Sequence, residues 1–315
     1  MTVAGPRARV RDALRSGALV ELSSLPAGSR VLDAVTSDAG AVALDGAIHV
    51  GAGGAVLVPV VLGSGTRAVL RLAAAGTAGD PASVADTLER LRLAGVALAP
   101  RLQGRGQVAG ASWAVEQALR GQRPSELTPA LARQIATACA GFPPAVGPPS
   151  APVDDLDHVA ACLPDRAGAI RAIAQEVVGG LRDLPAVLRH GDLWTGNVLV
   201  DQGELTGLVD WDASHPVAAP GADVLQLVAS EGRRRARHSL GQAFVDRPWR
   251  SAMFTAVVAD YWSALGLDPG AVVLDAVGIA WWATEVSGTL KRFPERAADE
   301  QWLDANVDAV LARFA

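Results

Sequence analysis

The sequence predicts an α+β protein, with a small β-rich amino-terminal lobe followed by a larger, mainly helical lobe. Three observations carry this. Two Val- and Leu-rich runs, 55–61 and 67–72, flank the turn residues Gly63-Ser64-Gly65-Thr66. Beyond residue 222 the apolar residues recur at helical spacing almost to the end. Between these regions, two short apolar runs, 198–200 and 205–209, bracket Asp201-Gln202-Gly203 beside a polar loop. The pattern divides the chain into a lobe over 1–118 and a helical lobe over 119–315.

The first 45 residues mix short helical and extended patterns. Strands are expected at 55–61 and 67–72. A helix is expected over 84–93, where Val84, Leu88 and Leu91 share a face and Pro81 precedes them. The chain turns extended after Gly95. Trp113-Ala114-Val115 reads as another strand, closed by Gly121-Gln122-Arg123-Pro124. Pro143-Pro144 and Pro148-Pro149 mark a loop, and 167–181 reads as a helix. Residues 187–197 begin extended and become a polar loop. Further helices are expected over 222–238, 250–265, 270–290 and 299–314.

Composition excludes several classes. The chain has 315 residues, 50% hydrophobic and 19% charged, enough apolar content to bury a large core and too much for disorder. A net charge of −5 does not suit a nucleic-acid binder. The basic run Arg233-Arg234-Arg235 with Arg237, Arg247 and Arg250 reads as a solvated helix face or as a site for an acidic partner. Cys139 and Cys162 fit neither a disulfide framework nor metal-ligand spacing, which points to a reducing cytoplasm. No signal peptide is recognisable. The uncharged stretch 46–66 approaches membrane-spanning length, but its six glycines and Pro59 fit soluble strands and turns better. Of the 28 basic Lys and Arg residues only Lys291 is a lysine, a bias of the whole chain.

The chemistry concentrates in Arg189-His190-Gly191-Asp192-Leu193-Trp194-Thr195-Gly196-Asn197 and in Leu208-Val209-Asp210-Trp211-Asp212. A hairpin between them returns Asp210 to the neighbourhood of Asn197. Two carboxylates and one amide oxygen then converge at a strand end. Such oxygen ligands suit Mg2+, which completes its shell with phosphates and water. A carboxylate left off the metal can orient a hydroxyl and accept its proton. This is the layout of phosphoryl transfer from a nucleotide. The reading opposed to it is a polar turn between buried strands.

These residues resemble the aminoglycoside phosphotransferase and choline-kinase-like family, which has the bilobal protein-kinase-like fold. His190-Gly191-Asp192 with Asn197 resembles its catalytic-loop motif, and Val209-Asp210-Trp211-Asp212 its metal motif. The resemblance covers 187–225 well and the first lobe in layout only. It implies that Asp192 is the catalytic aspartate, that Asn197 and Asp210 bind Mg2+, and that His190 holds the loop. It implies supporting roles for Asp212 and for Asp223, which opens the next helix. In the first lobe, Gly51, Gly53 and Gly54 would lie over the phosphates of ATP or GTP. Backbone groups across Glu116 to Ala118 would meet adenine, with the nucleotide clamped between the lobes.

One position departs from the family. Where its third strand has a phosphate-contacting lysine, this chain has Arg71. The family lysine pairs with an acid on the next helix, for which Asp86 and Glu89 are the candidates. Arginine keeps the charge but not the geometry. A working phosphotransferase and a nucleotide-binding pseudokinase are both compatible with it. The expected acceptor is a hydroxyl on an antibiotic, a sugar or a biosynthetic intermediate, or on a peptide Ser or Thr of a natural-product pathway. The arginines of 231–250 tilt this towards a neutral or anionic acceptor. No nucleic-acid or membrane partner is expected.

Overall fold

The computed structural model describes residues 33–35, 37–38, 42–45, 49–50, 55–74, 80–108, 110–268 and 270–313. Gly51, Gly53 and Gly54 lie outside the described residues. The chain divides into two compact units after Arg120.

The described part of the first unit holds an antiparallel sheet, one long helix and short helical pieces at 33–35 and 37–38. Its strands are β1 (Val42–Leu44), β2 (His49–Val50), β3 (Val56–Leu62), β4 (Arg67–Ala74), β5 (Leu102–Val108) and β6 (Ala111–Gln117), in the order β1-β3-β4-β6-β5, with β2 also on β3. Side chains alternate faces along each strand. The register places Val58 opposite Leu70 and Leu70 opposite Val115, and Leu72 opposite Trp113. Those residues, with Val60, Leu62 and Ala68, form the buried core on one face. Arg71, opposite Leu57 and Ala114, therefore belongs to the other face. Helix α1 (Pro81–Leu93) starts with Asp80 accepting from the Ala82 N–H at 3.0 Å, and its first residue is a proline, as the sequence suggested.

Strand β5 has no counterpart in the sequence reading. Its polar residues Gln103, Arg105 and Gln107 do alternate, but two of the positions between them are Gly104 and Gly106. A strand whose inward positions carry no side chain shows no hydrophobic alternation. Gly106 is required by Trp113, with which it pairs directly. A Cβ on Gly106 would lie 2.8 Å from the buried Trp113 indole.

The second unit is mostly helical: α2 (Pro129–Ala140), α3 (Ala151–Cys162), α4 (Ala167–Leu181), α5 (Ala222–Ala236), α6 (Leu240–Val245), α7 (Ala252–Ala264) and α8 (Ala271–Arg292). Helix α8 packs on α3 and α4, and α2 on α7. Hydroxyl caps start three of the helices: Thr128 on α2, Ser239 on α6 and Ser251 on α7. The helix expected over 299–314 is α9 (Glu300–Leu303) and α10 (Ala309–Leu311) joined by a π-turn over Asp304–Asp308. Four short strands complete the unit. β8 (Val198–Asp201) and β9 (Glu204–Leu208) form the expected hairpin, while β7 (Val187–Arg189) pairs with β10 (His215–Ala218), a strand hidden in the sequence by Pro216. No helix among the described residues is long and apolar enough to cross a membrane.

Gly106→Ala should lower stability by about 1–3 kcal/mol although alanine loses less backbone entropy than glycine, because the added methyl displaces Trp113. Urea unfolding of both proteins measures this; an unchanged or raised midpoint would show that Trp113 moves aside freely.

Candidate active site

The loop after β7 is held by one carboxylate. Asp223, in the first turn of α5, accepts the His190 N–H at 2.6 Å and the Gly191 N–H at 2.9 Å. The carboxylate is itself buried, so both bonds are made out of water. Gly191 has φ +82°, and a Cβ there would fall 2.0 Å from the Ala213 carbonyl oxygen. Only glycine fits this close approach. His190 is fully buried. Its Nε2 lies 2.9 Å from the Val209 carbonyl and its Nδ1 3.4 Å from the Asp192 N–H. A carbonyl only accepts, so Nε2 carries a proton and donates it to Val209. His190 thus ties the loop to the strand end from which Asp210 follows. The Trp211 ring packs against it at 4.4 Å and donates its indole N–H to Leu208 O at 2.9 Å.

The hairpin returns the chain as the spacing suggested. Val198 pairs with Leu208, and the Val209 N–H donates to Asn197 O at 3.0 Å, so Asp210 follows one residue after the Asn197 contact. Asp210 adopts φ 68° and ψ 65°, a left-handed conformation uncommon outside glycine. Asp212 sits half-buried in the helical turn Trp211–Ala213 that follows.

Asp192 is gripped by amides. Asn197 Nδ2 donates to Asp192 O at 2.8 Å and to its Oδ2 at 3.1 Å. Gln226 Nε2 stands 3.5 Å from Asp192 Oδ1 and 3.2 Å from Glu285 Oε1, and Arg233 donates to Glu285 Oε2 at 3.2 Å. Burial raises the Asp192 pKa above the ordinary carboxylate range; the His190 ring opposes this and the Asp210 charge adds to it. Burial likewise raises Glu285, against the pull of Arg233 and with the push of Asp192. Behind the loop, Arg189 donates to Thr284 Oγ1 at 2.6 Å and pairs with Asp155, which also receives Lys291 at 3.3 Å. The sequence reading passed over Gln226, Glu285 and Asp155. One signal for Gln226 was present: it lies three residues after Asp223, on the same helix face.

In the first unit, Arg71 has a different partner from the one expected. Its Nε donates to Glu116 Oε1 at 2.8 Å, and these two side chains are 3% and 5% exposed. Arg71 lies opposite Ala114, so Glu116 is its diagonal neighbour across β4 and β6. Asp86 instead pairs with Arg105, and Glu89 binds Arg92 on its own helix at 2.7 Å. Asp86 stands exposed and Glu89 half-buried. The Glu116 side chain therefore has a partner of its own within the sheet. The Ala118 N–H donates to Arg67 O at 2.9 Å and the Gln117 N–H to Arg101 O at 2.8 Å, so the sheet already uses the donors expected to meet adenine.

Most of the basic run is paired. Arg233 binds Glu285, Arg234 and Arg235 bind Glu231, and Arg250 binds Asp275. The tilt towards an anionic acceptor loses its basis.

A model of the phosphotransferase enzyme family matches residues 58–254, more than half of the chain and including every loop described above. This chain belongs to that family. No curated protein matches the sequence. Solved structures share the fold. A thermostable mutant of aminoglycoside phosphotransferase APH(4)-Ia, in ternary complex with ADP and hygromycin B, is 16% identical with a TM-score of 0.58, covering 90% of this chain and 98% of its own. The macrolide 2'-phosphotransferase MphH from Brachybacterium faecium is 18% identical with a TM-score of 0.56, covering 89% and 98%. The aminoglycoside phosphotransferase APH(3'')-Id from Streptomyces rimosus is 17% identical with a TM-score of 0.52, covering 82% and 97%. The fold of this phosphotransferase-family protein is therefore kinase-like, with a small β-rich unit and a larger helical one.

Arg71→Met should cost about 3–5 kcal/mol, because Glu116 is left buried without its cation, and Arg71→Met/Glu116→Leu should recover most of it. Urea unfolding of the three proteins tests the pair; a double variant no better than the single one would refute it. Asp192→Ala should raise the melting temperature of the metal-free protein at neutral pH. A raised carboxylate pKa in the folded state means stability is lost as pH rises through that group's titration. The gain should vanish as the pH falls below the ordinary carboxylate range, which thermal melts across pH will read.

Proposed function

We propose that this protein transfers the γ-phosphate of ATP, or of GTP, to a hydroxyl of a small molecule such as an antibiotic, a sugar or a biosynthetic intermediate. The observation that carries the reading is the grip of Asn197 on Asp192 one hairpin away from Asp210. Asp192 would be the catalytic residue, receiving the acceptor hydroxyl on a carboxylate whose orientation is already set. Neighbouring structures hold ADP or AMP-PNP together with hygromycin B, which supports a nucleotide and a hydroxyl-bearing acceptor here.

Asn197 and Asp210 would hold Mg2+. The donor set fits: Asn197 turns its Nδ2 towards Asp192, which leaves its side-chain oxygen for a cation, and Asp210 supplies a carboxylate at the adjoining strand end. Among the described residues no three His, Cys, Asp or Glu side chains form a cluster that could hold a metal ion. That suits a cation that takes one or two protein oxygens and the rest from phosphates and water. Bound there, Mg2+ would neutralise charge on the transferring phosphoryl group. His190 and Asp223 would hold the loop, and Asp212 would brace the turn after Asp210. The first unit, to about residue 118, would bind the nucleotide, with Gly51, Gly53 and Gly54 over its phosphates, and 119–315 would supply catalytic loop and acceptor site. Cys139 and Cys162 are both unpaired, which favours a cytoplasmic setting.

One observation favours a second reading. The Nε of Arg71 is committed to Glu116, so the cation at the family's lysine position is already partly neutralised. A nucleotide-binding pseudokinase would tolerate that; a phosphotransferase needs Arg71 to reach the phosphates while so held.

Thermal shift with ATP or GTP separates these readings from none at all. With Mg2+ and nucleotide at about 100 times the dissociation constant, the stabilisation should be roughly 2.7 kcal/mol, and Asp210→Ala should remove it. Absence of a shift with either nucleotide would reject both. A shift without transfer to any hydroxyl acceptor or to water would select the pseudokinase.

A further inference from the structure

The family motif accounts for one of the two amides at Asp192. The other comes from α5, and its placement is informative. Asp223 and Gln226 stand three residues apart on that helix. The first fixes the backbone of His190 and Gly191, while the second aims its amide at the Asp192 carboxylate. Gln226 is buried. Its Nε2 lies between two carboxylates, Asp192 at 3.5 Å and Glu285 at 3.2 Å. An amide oxygen in that place would face acceptors on both sides, so Glu285 dictates which way the amide points. Glu285 is in turn fixed by Arg233 from a later turn of α5. The result is a chain of oriented groups: Arg233 to Glu285, Gln226 to both carboxylates, and Asn197 on the far oxygen of Asp192.

We propose that Gln226, oriented by Glu285, is a positioning residue for Asp192: it holds Oδ1 while Asn197 holds Oδ2, and so sets the plane of the carboxylate that receives the acceptor hydroxyl. This rests on the phosphotransferase reading above. At 3.5 Å the contact to Oδ1 is long, as catalytic hydrogen bonds often are before substrate is bound. Gln226 reaches the reaction through Asp192, so it should govern turnover rather than nucleotide binding.

The test reads Mg·ATP hydrolysis, with water as acceptor, together with melting temperature and crystal structures of wild type, Gln226→Leu, Gln226→Glu and the double variant Gln226→Glu/Glu285→Gln. Gln226→Leu should lower kcat about 10- to 100-fold with KM for ATP unchanged. Gln226→Glu should do at least as much, since it turns a donor into a third carboxylate. The double variant separates positioning from mere support. It restores the bond between residues 226 and 285 with the donor reversed, so the melting temperature should return, yet Asp192 then faces an acceptor and kcat should stay low. Recovery of kcat along with the melting temperature would overturn the proposal. So would crystal structures in which the Asp192 carboxylate keeps its orientation in Gln226→Leu. That crystallographic comparison stands without turnover. A wild type that shows no nucleotide-induced thermal shift would sink the phosphotransferase reading, while the structures still decide whether Gln226 orients Asp192.

Discussion

Two hydrogen bonds to one buried carboxylate organise this site. Asp223 takes the N–H groups of His190 and Gly191, both turned inwards by a backbone that only glycine can follow at the second position. Without them the loop would bury two unsatisfied donors, each costing about 1–3 kcal/mol. Everything downstream inherits its position from that clamp. The His190 ring reaches Val209, the hairpin of β8 and β9 closes, and Asp210 arrives beside Asn197 in a conformation that few residues adopt.

The site is built around carboxylates that are uncomfortable together. Asp192 and Glu285 are half-buried, and loss of water around them makes both hold their protons more tightly than exposed carboxylates, with the Asp210 charge adding to the effect at Asp192. Such tension is characteristic of active sites, where stability is given up for reactivity. A divalent cation and the transferred phosphate would relieve part of it, which ties unliganded stability to ligand binding through the same charges. In the first unit the balance is opposite. Arg71 and Glu116 are buried but mutually neutralised, so the sheet carries a charge at the family's lysine position without an exposed cation.

Much of this was legible in the sequence because it is local. The spacing of His190, Asp192, Asn197 and Asp210, with turn residues Asp201-Gln202-Gly203 between, fixes a loop and a hairpin through neighbouring residues. Helix 167–181 was legible for the same reason, its apolar period being unbroken. Strand β5 was not, because Gly104 and Gly106 replace the side chains that would reveal it, and the reason for Gly106 is Trp113, on the next strand.

What the sequence by itself determined is thus the α+β order of elements and the residues that make up the His190–Asn197 loop and the turn at Asp210. Only tertiary structure decided the partners. The sequence offered Asp86 and Glu89 as partners of Arg71 and gave no sign of Glu116. Strand pairing put Glu116 diagonal to Arg71, while helix α1 turned Asp86 and Glu89 to other arginines. Glu285 lies 93 residues from Asp192 in sequence, and only the packing of α8 near α5 brings it to Gln226. The physical reason is the same in both cases. A buried charge must be matched by whatever the fold brings within about 3 Å, and that distance is set by packing, which local sequence does not encode.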